Sequence, residues 1–449
     1  MPGKPNVLLY VLDAARADHL GVYGYQRETT PHIDAFAEQA TVFEAAFSEG
    51  AFTFTSIVAL MTGQLPAAVG MLRPQALPST MVMLAERARQ SGYRTFAYSE
   101  NPYISEELGF DQGFARFEES FERDAYKAPL RDDLNPRDPE QSQASIHRAL
   151  EWMSRPEQEP FFTYIHVLRP HNPYLSPPDF RRFSRGRRVL GSTRSLLTLD
   201  RGAWRPSPAV LREIIALYDE NLAYGDDLFH LLWTGLRDHG LEKSTVVVVI
   251  SDHGEAFGEH GRFLHGSTVY DEMTRIPMIV RHPSQLSSWR IATPVQLHDL
   301  TRTLLDLFGA SSESATLPGR SLLASLKDGE EPGARTAFSW SSDKLCAVRS
   351  AAAKLILHLE AGEISTAEWF DLAVDPSESH PRSVAQGGVA AATLLEQFRV
   401  ARAGWAITEK PTAPAAPLSP KRIEQLRALG YSQDPAVGVG EIDATEGAP

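Results

Sequence analysis

Two uninterrupted apolar runs, Val7–Leu12 and Val246–Ile250, constrain this chain more than any other feature. A run without polar alternation cannot form a half-solvated strand, so each predicts a central strand covered on both faces. Further strands are expected at Arg94–Tyr98, Phe162–Leu168 and Met278–Arg281. Between them lie helical periods at Ile33–Gln39, Thr80–Ser91, Gln143–Met153, Ala209–Leu236 and Leu297–Phe308. This alternation predicts an α/β fold, a mostly parallel sheet sandwiched by helices. From Thr336 the pattern changes to short strands, Thr336–Trp340, Leu345–Arg349, Lys354–His358 and Glu368–Leu372, then a helix over Ala390–Ala403. The expected organisation is a catalytic domain over 1–330, a small C-terminal α+β subdomain over 331–409 with an antiparallel sheet, and a Pro/Ala-rich linker and tail over 410–449.

Both apolar runs end in chemistry. Val246–Ile250 runs into Ser251-Asp252-His253-Gly254-Glu255, and Val7–Leu12 into Asp13. Carboxyl ends of strands are where α/β sheets build ligand sites, and Asp with His makes a metal half-site. A lone strand-tip Asp is ordinarily a cap or loop residue. Here Thr53-Phe54-Thr55-Ser56 also puts hydroxyls at the expected start of a helix that ends at Gly63. Asp13, a hydroxyl and Asp252-His253 would together hold a divalent cation that lowers the pKa of the hydroxyl.

Several ordered segments resemble the sulfatase branch of the alkaline phosphatase superfamily over nearly the whole chain. They are Asn6-Val7-Leu8-Leu9 with Asp13, Arg16-Ala17-Asp18-His19-Leu20-Gly21, Leu60-Met61-Thr62-Gly63, Pro170-His171-Asn172-Pro173-Tyr174, Ser251 to Glu255, Gly258-Glu259-His260-Gly261 and Leu426 to Tyr431. The resemblance implies an alkaline-phosphatase-like fold and a metal-dependent ester hydrolase. It also exposes departures. Sulfatases place at the Thr53 slot a Cys or Ser that becomes formylglycine, with Pro and Arg at the slots of Thr55 and Ile57. No formylglycine can form on Thr53, and the only cysteine, Cys346, lies far downstream.

A Thr there is similar to the phosphodiesterases, phosphonate monoester hydrolases and phosphoethanolamine transferases of the superfamily, which implies a covalent Thr53 intermediate and a phosphate or phosphonate ester. Sulfatase activity, phosphoryl transfer to an alcohol and non-catalytic anion binding are the alternatives. The implied metal ligands are Asp13, Thr53, Asp252 and His253. Ala14 replaces a second Asp, so one Zn²⁺ or Mn²⁺ is expected, with Ca²⁺, Mg²⁺ and a second ion left open. His171 and His265 are expected to serve substrate oxygens or the leaving group as catalytic residues. Asn101 is expected to bind substrate where the family has a Lys, with Tyr103 lining the pocket. His260 is a substrate-binding candidate that competes with a structural role in its Gly-rich turn, and His166 competes with simply lining its strand.

The net charge of −13 argues against nucleic-acid binding, and the absence of a long apolar run predicts no membrane span. With no signal-peptide pattern and one cysteine, the expected location is cytoplasmic. The expected partner is a small anionic ester, with homo-oligomer formation left open. Against the acidic background, Arg181, Arg182, Arg185, Arg187, Arg188, Arg194, Arg201 and Arg205 form a basic island, either a rim that attracts an anion or a solvated insertion. The segment 123–140 reads as a loop.

Overall fold

The computed structural model describes residues 3–120, 139–285, 287–310, 317–405 and 418–429. Its centre is an eight-stranded sheet: β1 (Asn6–Asp13), β2 (Thr41–Phe43), β3 (Arg94–Ser99), β4 (Arg116–Glu119), β5 (Phe161–Pro170), β6 (Thr245–Ser251), β7 (Met278–Arg281) and β8 (Trp289–Ile291), in the order β8-β2-β7-β6-β1-β5-β3-β4. Strands β6, β1, β5, β3 and β4 are mutually parallel, and β7 runs antiparallel to β6 and β2. The short strands β2, β4 and β8 were not expected from the sequence. They carry too few residues for a periodic signal and sit at or near the sheet edges.

Strand β1 lies between β5 and β6, with every residue from Val7 to Asp13 buried. Side chains alternate across a strand, so its apolar run supplies two cores. Val7, Leu9 and Val11 pack with Phe54, Ile57 and Leu60 of α1 (Thr53–Thr62) and Leu300 and Leu304 of a helix over Leu297–Phe308. Leu8, Tyr10 and Leu12 pack with Ile146 and Leu150 of α2 (Pro139–Met153) and Ile214, Leu222 and Phe229 of α3 (Pro208–Asp238). Fully burying an aliphatic side chain of this kind contributes about 1.5–3 kcal/mol. A polar residue anywhere from Val7 to Leu12 would meet one apolar layer or the other.

The C-terminal part forms a five-stranded antiparallel sheet from Ala337–Ser342, Leu345–Arg349, Ala353–Glu360, Glu363–Asp371 and Arg382–Ser383, paired in chain order. The helix Gly388–Trp405 covers it. Asp371 and Asp375 are turn residues, accepting the N–H groups of Ala373 and of Ser379 and His380. The tail expected over 410–449 is not uniform. Pro420–Ala428 is a helix, capped by the Ser419 hydroxyl, that returns to the catalytic part. Its Arg422 donates to the Pro102 carbonyl and pairs with Glu119, while Leu429 accepts from the Asn172 amide. The segments 410–417 and 433–449, and nearly all of 123–140, lie outside the described residues. Among the described residues no helix is long and apolar enough to cross a membrane.

Candidate active site

Parallel pairing brings the polar ends of β1, β5 and β6 to one edge of the sheet. The β1–β5 register slips between Leu12 and Asp13, and Ala14 adopts a left-handed conformation with φ of 61°. The slip lets the chain turn across the strand ends. Backbone and side chains then lock the tips together: the Ala14 N–H donates to Asp252 Oδ1 at 3.1 Å, the Ser251 hydroxyl to the Leu12 carbonyl at 2.7 Å and the His171 N–H to the Asp13 carbonyl at 3.0 Å.

Thr53 opens α1, preceded by Phe52, which offers no side-chain cap. An α-helix leaves its first N–H groups without intrahelical acceptors, so this end carries positive potential. The other end closes at Gly63 in the left-handed conformation. A Cβ there would come within 2.8 Å of Leu317 Cδ1, so glycine is required both by φ and by packing. Thr53 Oγ1 lies 3.2 Å from His253 Nε2 and 3.2 Å from Asn101 Nδ2, and the same amide donates to Asp13 Oδ2 at 2.5 Å. Asn101, expected to meet substrate, therefore ties the hydroxyl to the carboxylate. Tyr103 is 2% exposed and packs in the core beside Phe54.

Asp13, Asp252 and His253 converge, their ligand atoms all within 4.8 Å of one another. All three are fully buried, and Asp13 Oδ1 and Asp252 Oδ2 have no hydrogen-bond partner. Two orphaned carboxylate oxygens in a buried site are the signature of a cation-binding pair, because leaving such groups unpaired is costly. Burial acts to raise the Asp13 carboxyl, but the imidazoles of His171, His166 and His253 outweigh it and hold the group well below the usual carboxylate range.

A short hairpin, Ala256–Phe257 with Phe263–Leu264, folds the chain back after His253 and explains the placement of His265. The His265 ring lies 4.4 Å from that of His253 and 4.7 Å from that of His171, centroid to centroid. Its Nδ1 faces Glu255 Oε1 at 3.1 Å, and burial lowers its basicity. Thr53, Asn101, His171, His265, Asp13, Asp252 and His253 are thus all brought together. His260 is not. It takes a left-handed conformation, its Nδ1 meets Glu272 and its Nε2 the Glu378 carbonyl, and its ring stacks on Tyr270 with 3.5 Å between centroids. Its contacts tie the Gly-rich turn to Glu378 of the C-terminal part.

His166 enters instead. It is fully buried on β5, with Nε2 3.2 Å from Asp13 Oδ2 and 3.9 Å from Asp252 Oδ2. Burial disfavours its charged form, yet Asp13 and Asp252 outweigh that and raise its basicity. The available signal was strand alternation, which puts Tyr164, His166 and Leu168 on one face of β5. Cys346 is buried in the C-terminal sheet, where burial raises its thiol pKa, and it contributes nothing here. The basic island is mostly exposed, with Arg188 the buried member; Asp200 beside it accepts the Phe263 N–H, which docks the segment against the His265 hairpin.

A family model described as Sulfatase matches residues 5–310. The chain is 27% identical over 327 residues to the ulvan-active sulfatase of Formosa agariphila, covering 68% of this chain and 62% of that protein, so it spans somewhat less than two thirds of that relative. Other curated relatives also carry sulfatase names. Among solved structures, the putative sulfatase yidJ from Bacteroides fragilis aligns with a TM-score of 0.71 at 19% identity, covering 90% of this chain and 96% of that one. The phosphonate monoester hydrolase of Agrobacterium radiobacter aligns with a TM-score of 0.69 at 20% identity, covering 93% and 100%. At these identities the structures speak for the fold. With the sheet, the strand-tip carboxylates and a family match over most of its length, the chain belongs to the sulfatase family.

Proposed function

We propose that this sulfatase-family hydrolase cleaves a small anionic ester at a tetrahedral centre, with Thr53 as nucleophile. The observation that supports this most directly is the Thr53 hydroxyl at a helix start, 3.2 Å from both His253 Nε2 and Asn101 Nδ2 and beside two carboxylates with orphaned oxygens. Those residues fit a divalent cation held by Asp13, Asp252 and His253 with Thr53; when bound it would polarise the ester and lower the pKa of the hydroxyl. The metal's identity is not distinguished by these donors.

The protein groups do the rest. Asn101 fixes the hydroxyl, and the first-turn N–H groups of α1 stabilise negative charge on the ester oxygens. Thr53 loses its hydroxyl proton to solvent, its Oγ1 forms a bond to the central atom, and the bond from that atom to the ester oxygen breaks, the leaving oxygen taking a proton from the imidazolium form of His171 or His265. The carbonyl of Asn172 accepts from His171 Nδ1, which fixes the orientation of that ring. Water then cleaves the Thr53 ester and returns the hydroxyl.

For the central atom, the curated relatives favour sulfur, so a sulfuric ester is the first reading and the phosphorus preference drawn from the sequence gives way to it. A phosphate or phosphonate ester is the second reading, favoured by Thr53 itself. A threonine sulfate lacks the geminal hydroxyl that expels sulfate from formylglycine, whereas a phosphothreonine can be cleaved in line. Turnover of an aryl sulfate, an aryl phosphodiester and an aryl phosphonate monoester, side by side on wild type and Thr53→Ala, separates the two. Sulfate turnover lost in the variant supports the first, and phosphorus-ester turnover lost in it supports the second. Equal turnover by wild type and variant overturns the nucleophile assignment.

A further inference from the structure

We propose that His166 is a direct ligand of the cation held by Asp13, Asp252 and His253, an inference that rests on that site binding a divalent ion. Three fully buried polar atoms bear on this: Asp13 Oδ1 and Asp252 Oδ2 at the tips of β1 and β6, and Nε2 of His166, mid-strand on β5, which lies 3.2 Å from Asp13 Oδ2 and 3.9 Å from Asp252 Oδ2. None of the three has a hydrogen-bond partner. His166 Nε2 is only 3.2 Å from Asp13 Oδ2, yet the ring N–H direction does not line up with that oxygen. A buried polar group left unsatisfied is costly. A single cation between them answers all three.

The opposite side of each imidazole fits this role. The Gly254 carbonyl can only accept, so its 2.8 Å contact with His253 Nδ1 places the proton on Nδ1 and a lone pair on Nε2. That lone pair lies 3.5 Å from Asp252 Oδ2 and 3.7 Å from Asp13 Oδ1. His166 has Nδ1 2.7 Å from the Tyr164 hydroxyl, which can accept as well as donate, and Nε2 towards the same two carboxylates, so coordination requires the tautomer in which Nδ1 donates to Tyr164. An outer-sphere partner on Nδ1 is the usual way a protein fixes the tautomer of a metal-binding histidine. Ala14, next to Asp13, offers no side-chain donor, and its N–H is used on Asp252. The resulting set has two imidazoles among oxygens, which suits Zn²⁺, Mn²⁺ or Co²⁺ better than Ca²⁺.

The test is proton NMR of the full chain loaded with Co²⁺. A ring coordinated through Nε2 carries its proton on Nδ1, buried against the Gly254 carbonyl or the Tyr164 hydroxyl, so each coordinated ring gives a slowly exchanging, hyperfine-shifted signal. The expected spectrum includes such signals from His253 and His166, with one lost in His166→Gln. Glutamine keeps an N–H donor towards Asp13 but supplies no imidazole nitrogen, so it separates coordination from mere positioning. The Zn²⁺ dissociation constant of His166→Gln, from competition with a chromophoric chelator, should rise at least about tenfold. A wild-type spectrum with no signal from His166 overturns the inference even where the variant fails to fold, as does a variant with unchanged spectrum and Zn²⁺ affinity. Failure of the wild type to take up any of these ions overturns the cation site itself.

Discussion

Lys354 offers a stringent test of how the C-terminal sheet supports the site. It is fully buried, with Nζ 2.9 Å from Asp271 Oδ1 and 2.6 Å from Glu378 Oε1, and Arg349 meets both oxygens of Asp271 at 2.8 and 2.7 Å. Asp271 opens the segment whose Glu272 and Met273 carbonyls accept from Glu255 and Gly254, directly after His253. Replacing Lys354 by Met leaves two carboxylates facing each other in the interior. Losing one partner of a buried pair costs about 3–5 kcal/mol. Asp271 keeps Arg349, so the lower end, about 3 kcal/mol at pH 8, is expected.

The deficit should depend on pH in a defined direction. Burial pushes the Glu378 carboxyl up to about 7 against the pull of Lys354, with Asp271 adding to the rise. A carboxyl raised in the folded state contributes stability that is full below its unfolded pKa and lost as pH rises through the folded one. At pH 5.5 Glu378 is therefore neutral in both proteins, and the deficit of Lys354→Met should shrink. Urea denaturation at the two pH values measures this, and Lys354→Met with Glu378→Gln should recover more than half of the loss at pH 8. A single variant within about 0.5 kcal/mol of wild type at pH 8, or a double variant no better than the single, would refute the reasoning.

Removing the Asn101 side chain with Asn101→Ala takes away a hydrogen bond to a charged carboxylate and the tether on Thr53; at about 1.5–3 kcal/mol, kcat should fall roughly 10- to 100-fold with KM little changed. A KM effect alone would instead assign Asn101 to substrate binding. Arg422→Ala removes the contacts to Pro102 and Glu119, and hydrogen exchange at residues 419–429 should rise while exchange in β1 stays unchanged. Asp271→Asn should abolish a pH dependence of opposite sign. Burial acts to raise Asp271, but Arg349 and Lys354 hold it well below the usual carboxylate range. Its stabilisation is thus present above its unfolded pKa and lost in strong acid, and acid unfolding of the variant should be shallower than that of wild type.

The sheet and most of the residues gathered at the candidate site were legible because β1 and β6 are continuous apolar runs that end in Asp13 and Asp252. Parallel neighbours necessarily deliver those ends to one edge, and α1 announces itself by its hydroxyls and Gly63. His166, open in the sequence between a site role and simply lining its strand, could not be placed from local pattern. Its role depends on the register that sets it beside Val11 of β1, a long-range pairing that local pattern does not encode. The surroundings of His260 were hidden for a related reason, since its contacts with Glu272, Glu378 and Tyr270 join segments far apart in the chain. The docking of Pro420–Ala428 was hidden because a short polar helix beside a Pro/Ala-rich stretch looks the same whether docked or free. The phosphorus preference leaned on the Thr53 slot and the His171 and His265 pair, against relatives that carry sulfatase names.

The central position of β1 has a consequence in time. Asn6 at its start bonds to Phe161 on one side, 155 residues later in the chain, and to Ser244 on the other, 238 residues later. At about 5–20 residues per second of synthesis, the strand waits roughly 8–30 s for β5 and roughly 12–50 s for β6. Throughout that interval a stretch made to be covered on both faces has neither neighbour, and the edge it exposes invites pairing with other nascent chains. Folding yield in the cell should therefore respond to holdase chaperones and to elongation rate more strongly than the stability of the finished protein would suggest.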